Sequence, residues 1–496
     1  MFARPRLIAF LLSAGVLAGC AVGPNYRPPE IALSPHFMGE ASIANRKSSG
    51  ATDLRAWWVA FEDPLLTRYV AIALEQNLDI AQAGARMAQA RASLRLSTAA
   101  LLPSLNGSAQ GVKAYQSIET PLGQILNSTP NFDRSGNYYE ADFGASWEID
   151  VFGGLRRGRQ AARAEYQASE AGAVATRLAV AAQTADVYVT IRGLQARIAI
   201  AREQAATRRQ LLSIVKLQYE KGVAAELQMR QVEGSLAQVD AQIPVLEAAL
   251  EAAMNAMNVL LGAQPGTYRA ELIPVALIPV APGLAGTGTP PDMIRRRPDL
   301  IVAERHLAAT NAVIGSAMSE YYPKFSLGAL LGSATSISSG NLFTSDASQH
   351  QSVLGLHWRL FDFGRIEAQI AAARGKQAET LAAYRLAVLR ATEEVENSFS
   401  ALVNREAQVD ILTRGESSLA RARESSLAAY KRGVVSLIEV LDADSNLLQV
   451  QDAKAQAQAE AARAAIASFR ALGGGWDAQD ADSKRYGGLQ RTVTGE

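Results

Sequence analysis

Cysteine is all but missing: Cys20 is the only one in 496 residues, so no disulfide can form within the chain. Histidine is scarce as well. His36, His306, His350 and His357 lack the short spacings of a metal site. Neither sign of charge dominates, with 49 Lys and Arg facing 48 Asp and Glu, so there is no basic field for nucleic acid. No phosphate-binding glycine loop and no nucleophile elbow stands out, and the sequence gives no sign of catalytic or cofactor chemistry. Aromatics make up only 6%. With alanine abundant, that mix favours long helices in close contact over a large aromatic core. Proline is absent from 155–218 and from 365–429.

No apolar run is long enough to span a bilayer as a helix. The longest, Leu7–Ala18, is about twelve residues against the roughly twenty a membrane helix needs. It follows Arg4 and Arg6 and reads as an export signal. Its loss with residues 1–19 leaves 47 positive against 48 negative side chains. The run ends in Leu17-Ala18-Gly19-Cys20, which resembles a bacterial lipoprotein signal. That resemblance implies cleavage before Cys20 and a covalent lipid on it. Two or more acyl chains give a stable anchor. Ala21 stands where an aspartate would oppose transfer to the outer membrane.

What is present is repetition. Tyr219, Gly222 and Val223 recur 211 residues later as Tyr430, Gly433 and Val434. Trp147, Phe152 and Gly153 recur as Trp358, Phe363 and Gly364, and Gly262 as Gly473. Earlier in each copy the offset is 220: Asp79 becomes Asp299 and Pro103 becomes Pro323. The nine-residue change falls between Pro103 and Trp147, in a loop region. The domain plan is a signal peptide at 1–19, an extended lipid-anchored segment at 20–61, and a first repeat at 62–262. A linker at 263–290, a second repeat at 291–474 and a polar tail at 475–496 complete it. Five prolines, from Pro265 to Pro290, mark the linker as extended.

Each repeat holds period-two stretches inside a helical pattern. Tyr139, Ala141, Phe143, Ala145, Trp147, Ile149 and Val151 share one parity, and Glu140, Asp142, Ser146, Glu148 and Asp150 the other. Strands are expected near 104–115, 138–151, 324–335 and 351–362. Thirteen residues at about 3.3 Å reach roughly 43 Å, enough to cross a bilayer at a tilt. Four strands cannot close a membrane barrel, and an open edge leaves backbone groups unpaired in lipid. Either neighbouring chains complete the wall, two giving eight strands and three giving twelve, or the strands form a small soluble sheet beside the helices and cross no membrane. Polar stretches near 116–137 and 335–350 join the strand pairs and are expected to face the exterior.

The proline-free stretches predict helices of about 96 Å each. In the return helix of the first copy, Val232, Leu236, Val239, Ile243, Leu246, Leu250, Met254 and Met257 form a coiled-coil seam, and Pro244 is a candidate bend. The second return helix relies on small residues, among them Ala453, Ala457, Ala464 and Ala467. Gly222 and Gly433 stand between long helices, where glycine ends a helix tightly.

The chain resembles the outer-membrane factor lipoproteins of tripartite efflux systems, the nodulation-type outer-membrane efflux proteins. Residues 20–26, Trp57-Trp58, 61–64, 147–153, Arg297 to Asp299, Ala303-Glu304 and both glycine turns carry the likeness, which spans nearly the whole mature chain. It implies a mixed α/β homotrimer: a 12-stranded outer-membrane β-barrel continued by a 12-helix periplasmic α-barrel. It implies a passive exit duct for small molecules or ions, with a periplasmic adaptor and an inner-membrane efflux pump as partners and no cofactor. It places adaptor contacts at Gly222, Val223, Gly433, Val434 and Ser436. Glu439 and Asp442 match acidic positions of a periplasmic constriction. Gln228 and Gln231 replace them in the first copy, and Val435 stands where the family often has an arginine. Lys431 and Arg432 are the neighbouring candidates for that missing latch charge. A protein-secretion duct and a non-channel coiled-coil scaffold stay open as alternatives. Arg295, Arg296, Arg297 and Asp299 are read as tying down a helix start.

Overall fold

The computed structural model describes residues 21–46, 52–284 and 288–476. The signal segment, Cys20 and all of the tail beyond Trp476 lie outside the described residues. The helices, in chain order, are α1 (Glu40–Ala44), α2 (Pro64–Gln76), α3 (Leu78–Ala99), α4 (Pro121–Asn127), α5 (Gly154–Glu220), α6 (Glu226–Leu260), α7 (Arg269–Leu272), α8 (Pro290–Arg296), α9 (Pro298–Ser319), α10 (Arg365–Lys431) and α11 (Leu437–Ala471). The strands are β1 (Ser104–Tyr115), β2 (Ser135–Ile149), β3 (Lys324–Thr335) and β4 (Ser348–His357). The repeat is visible in the lengths. α5 and α10 each have 67 residues, about 100 Å at 1.5 Å per residue, and α6 and α11 each have 35.

The chain divides into two compact units. Among the described residues the first joins 21–29, 88–168 and 304–383 and holds an antiparallel sheet in the order β1-β2-β3-β4. Its bounds differ from expectation at two strands. β2 starts at Ser135 rather than near 138, because β1 pairs with it out to Tyr115↔Ser135. β4 lies at Ser348–His357 instead of 351–362, because β3 offers it partners from Ser333↔Ser348 to Lys324↔His357. The first polar loop contains α4, which period-two reading passed over; Thr120 caps it and Pro121 occupies its first turn. Trp147 donates to the carbonyl of Leu101 and Trp358 to that of Tyr321, each at 3.0 Å, the same bond in both copies. The N-terminal segment is strapped onto this unit. Val22 N donates to Phe152 O at 3.0 Å. Buried Arg157 donates to Val22 O, Gly23 O and Asn25 Oδ1, each at 3.0 Å.

The second unit joins, among the described residues, 30–46, 52–87, 169–284, 288–303 and 384–476. Trp57 is stacked on Phe469 at 5.4 Å, with Phe61 edge-on to both. Asp63 caps α2 by accepting from Leu65 N and Leu66 N, and also accepts from Tyr188 Oη at 2.7 Å. Asn77 caps α3 in the same way and donates to Leu260 O at 2.9 Å. Its repeat equivalent, Arg297, donates to Ala471 O at 3.1 Å and pairs with Asp299 and Glu394. Arg297 therefore does hold a helix start in place. Of the α6 seam, Val232, Val239, Met254 and Met257 are buried, and Leu236 and Ile243 pack beside them. α6 continues through Pro244, an exposed residue away from that seam.

Candidate channel wall and helical tips

The sheet has two unlike faces. Cross-strand register places Leu105, Phe143, Leu331, Leu354 and Leu356 on one of them. All five are well exposed, from 63% to 73%. Such a contiguous apolar surface is not left to water. The other face carries Gln110, Glu140, Asp142 and Gln349. Gln110 donates to Glu140 at 2.5 Å, and Gln349 to Asp142 at 2.8 Å and to Glu140 at 3.2 Å. Asp142 is buried because it faces Gly332; a Cβ on that glycine would stand 1.9 Å from its Oδ1. Among the described residues no helix is long and apolar enough to cross a membrane.

Both helical turns close alike. Gly222 has φ +73° and Gly433 +75°. Val223 N donates to Gln218 O at 2.8 Å and Val434 N to Ala429 O at 3.0 Å, the bond that seals a helix on a left-handed residue. Val223 and Val434 are then pushed outward, 77% and 74% exposed. Ser436 starts α11 without a side-chain cap bond. Tyr430 Oη donates to Gln218 Oε1 at 3.1 Å and so links the two turns, and burial raises the tyrosine's pKa.

Past the second turn, α11 divides by face. Leu437 and Val440 are buried against Leu211, Val215, Met229 and Val232. Glu439 and Asp442 point away from that seam, exposed beside Ile438, and Asp442 accepts from Asn446 at 3.2 Å. Two residues past Asp442 lies a group that sequence reading missed. Asp444 is buried between Arg208 at 3.2 Å and Arg423 at 3.3 Å, and Arg208 also donates to Ser235 O at 2.6 Å. This joins α5, α6, α10 and α11. Its only sequence signal was a charge on the otherwise apolar stripe of α11. Among the described residues no group of three or more His, Cys, Asp or Glu is arranged to hold a metal.

The family model described as "Outer membrane efflux protein" matches residues 70–263 and 289–474, one block per repeat. The chain belongs to that family. Nodulation protein T of Rhizobium leguminosarum bv. viciae is 30% identical over 488 residues, covering 96% of each chain. Outer membrane protein OprJ of Pseudomonas aeruginosa is 28% identical over 485 residues, covering 95% of this chain and 96% of that one. The solved structure of the outer-membrane channel OprN matches with a TM-score of 0.83 and 29% identity, covering 92% of this chain and all of that one. The fold is therefore the family's mixed α/β fold: a small antiparallel sheet with long paired helices, the architecture of a trimeric β-barrel and α-barrel channel. This outer-membrane efflux protein is the exit duct of a tripartite efflux system and acts as a channel.

Proposed function

We propose that three copies of this efflux protein close a twelve-stranded barrel and a twelve-helix tube, and that the tube shuts where α11 begins. One observation carries the reading: a sheet of four strands with an exposed apolar face and two unpaired edges. Lipid tolerates no unpaired backbone, so such a sheet spans a membrane only as part of a closed wall. The polar face, with Gln110, Glu140, Asp142 and Gln349, then lines the water-filled lumen. Six carboxylates from Glu439 and Asp442 gather at the periplasmic constriction and favour cations there. The exposed turns at Gly222, Val223, Gly433, Val434 and Ser436 meet a periplasmic adaptor, which connects the duct to an inner-membrane pump. Cys20 carries the lipid. The strap that ties Val22 to Phe152, three residues past the end of β2, supports this reading, since it holds the chain two residues on from Cys20 next to the sheet.

Planar-bilayer recording tests the duct and its constriction together. The purified protein is expected to form cation-favouring pores. Replacing Glu439 and Asp442 by alanine should change closed-state conductance and weaken block by multivalent cations. Parent-like recordings from that double variant would remove the acidic ring from the account, and a protein that forms no pore would overturn the duct.

A further inference from the structure

The two repeats fix more than a likeness between halves. In the β1–β2 ladder Ser104 is paired with Ser146. Moving the first by 220 and the second by 211 gives Lys324 and His357, which are paired in the β3–β4 ladder. Gly111↔Tyr139 maps in the same way onto Leu331↔His350. The offsets read from sequence motifs therefore hold residue for residue in the sheet. They hold outside it too. The bond from Asn77 to Leu260 O becomes that from Arg297 to Ala471 O, and the bond from Trp147 to Leu101 O becomes that from Trp358 to Tyr321 O.

One ladder has no counterpart within the chain. β2–β3 joins the end of the first copy's strand pair to the start of the second, from Tyr139↔Thr335 to Ile149↔Phe325. Its image under the repeat joins β4 to β1, and in one chain these are the two free edges. We infer that β4 pairs antiparallel with β1 of a second copy of this chain in one fixed register, with Leu360 opposite Leu105, Trp358 opposite Gly107, Leu356 opposite Ala109, Leu354 opposite Gly111, and His350 opposite Tyr115. The inference rests on the closed-barrel reading and goes beyond it, because closure alone leaves the register open.

The edge residues suit these partners. Leu105 and Leu354 are each 73% exposed, and Leu360 is 71%. The register puts all three on the apolar face, with Leu360 directly opposite Leu105 and Leu354 opposite Gly111. Gly107 already lies under the Phe143 ring, where an added Cβ would stand 3.4 Å from Cε1. Trp358 would cover its other side, so a glycine fits between two large rings. Asn106 and Arg359 meet on the opposite face. The pairing also gives Trp358, Arg359 and Leu360 partners, which extends β4 beyond His357. A one-residue slip would turn the apolar set of one edge toward the lumen, so two-residue slips are the competitors.

Paired cysteines in the full-length protein in native outer membranes test the register. Directly opposed Cβ atoms are about 4.5–5.5 Å apart, and diagonal ones about 7–8 Å. Ala109→Cys with Leu356→Cys, and Ser108→Cys with His357→Cys, are adjacent pairs in the inferred register. One of them occupies the closer, non-hydrogen-bonded position. Ala109→Cys with Leu354→Cys, and Gly111→Cys with Leu356→Cys, are slipped by two residues in either direction. Mild oxidation should give covalent dimers and trimers from at least one in-register pair, at about ten times the yield of the slipped pairs and of the single-cysteine variants. Equal or greater yield from a slipped pair overturns the register. An amine-reactive cross-linker separates this from the assembly itself. Trimers captured that way without any in-register disulfide overturn the register alone, whereas absence of cross-linked trimers overturns the barrel reading with it.

Discussion

Asn77 is buried, and its amide bonds in two directions: Oδ1 accepts from Asp79 N and Ile80 N, and Nδ2 donates to Leu260 O. It therefore starts α3 and satisfies a carbonyl in the last turn of α6. Gly262 lies alongside, at φ +69°, where an added Cβ would stand 2.5 Å from Gln76 O. In the second copy Arg297 takes over the carbonyl by donating to Ala471 O, but its guanidinium has no acceptor for the helix N–H groups and reaches the helix start through the Asp299 carboxylate; Gly473 is set against Arg296 O. Asn77→Ala would leave one buried carbonyl without a donor and remove a cap. A cost of about 1–3 kcal/mol is expected from the orphaned carbonyl, read as a lowered midpoint in thermal unfolding followed by helical circular dichroism. A parent-like melt would mean that water replaces the amide at no cost.

At the scale of elements, a helix of 67 residues is held by what it touches along its length, since propensity alone gives no position. α11 packs its apolar stripe on α5 through Leu437, Val440 and Leu448. Asp444 interrupts that stripe with a charge that is 3% exposed. A buried carboxylate is tolerable only with paired partners, here Arg208 and Arg423. The two single deletions are not equivalent. Asp444→Ala leaves the Arg208 guanidinium buried with only Ser235 O, whereas Arg208→Ala leaves Asp444 paired with Arg423. The first should cost about 3–5 kcal/mol and the second distinctly less, measured by chemical unfolding of both variants in one detergent. The reverse order would show that Arg423 cannot hold the carboxylate by itself.

For the whole molecule, the exposed turns matter more than any single helix. Val223 and Val434 project from turns whose glycines adopt a conformation that β-branched residues avoid. Gly433→Val should distort the second turn and reduce co-purification of the adaptor several-fold. Gly375→Ala, at a helical site with open space around it, serves as the matched control and should leave the yield unchanged. Equal yields from both variants would remove the turn from the docking surface. The same scale explains the apolar stripe on the sheet. It is a liability for a lone chain and the lipid-facing wall of an assembled one.

The alternation from Tyr139 to Ile149 and the proline-free runs of α5 and α10 are local patterns, so strand and helix could be read before any packing was known. The motif offsets were equally local, and they carried the repeat. The glycine turns were readable because a left-handed residue must be one that tolerates it. What stayed hidden depended on distant neighbours. Asp444 stood out only as a charge on an apolar stripe, and its partner Arg208 lies 236 residues away in the chain. Asn77 gave no signal because its partner, Leu260 O, is a backbone atom, and backbone carbonyls leave no mark on a sequence. The end of β4 at His357 was decided by how far β3 could offer partners, not by the apolar residues that continue to Leu360. The sequence by itself determined periodicity, repetition and the balance of polar and apolar faces, because these are properties of neighbours along the chain. Only the tertiary structure decided which charges are buried, which carbonyls are capped and which strand edges remain open, because each depends on groups that folding brings together.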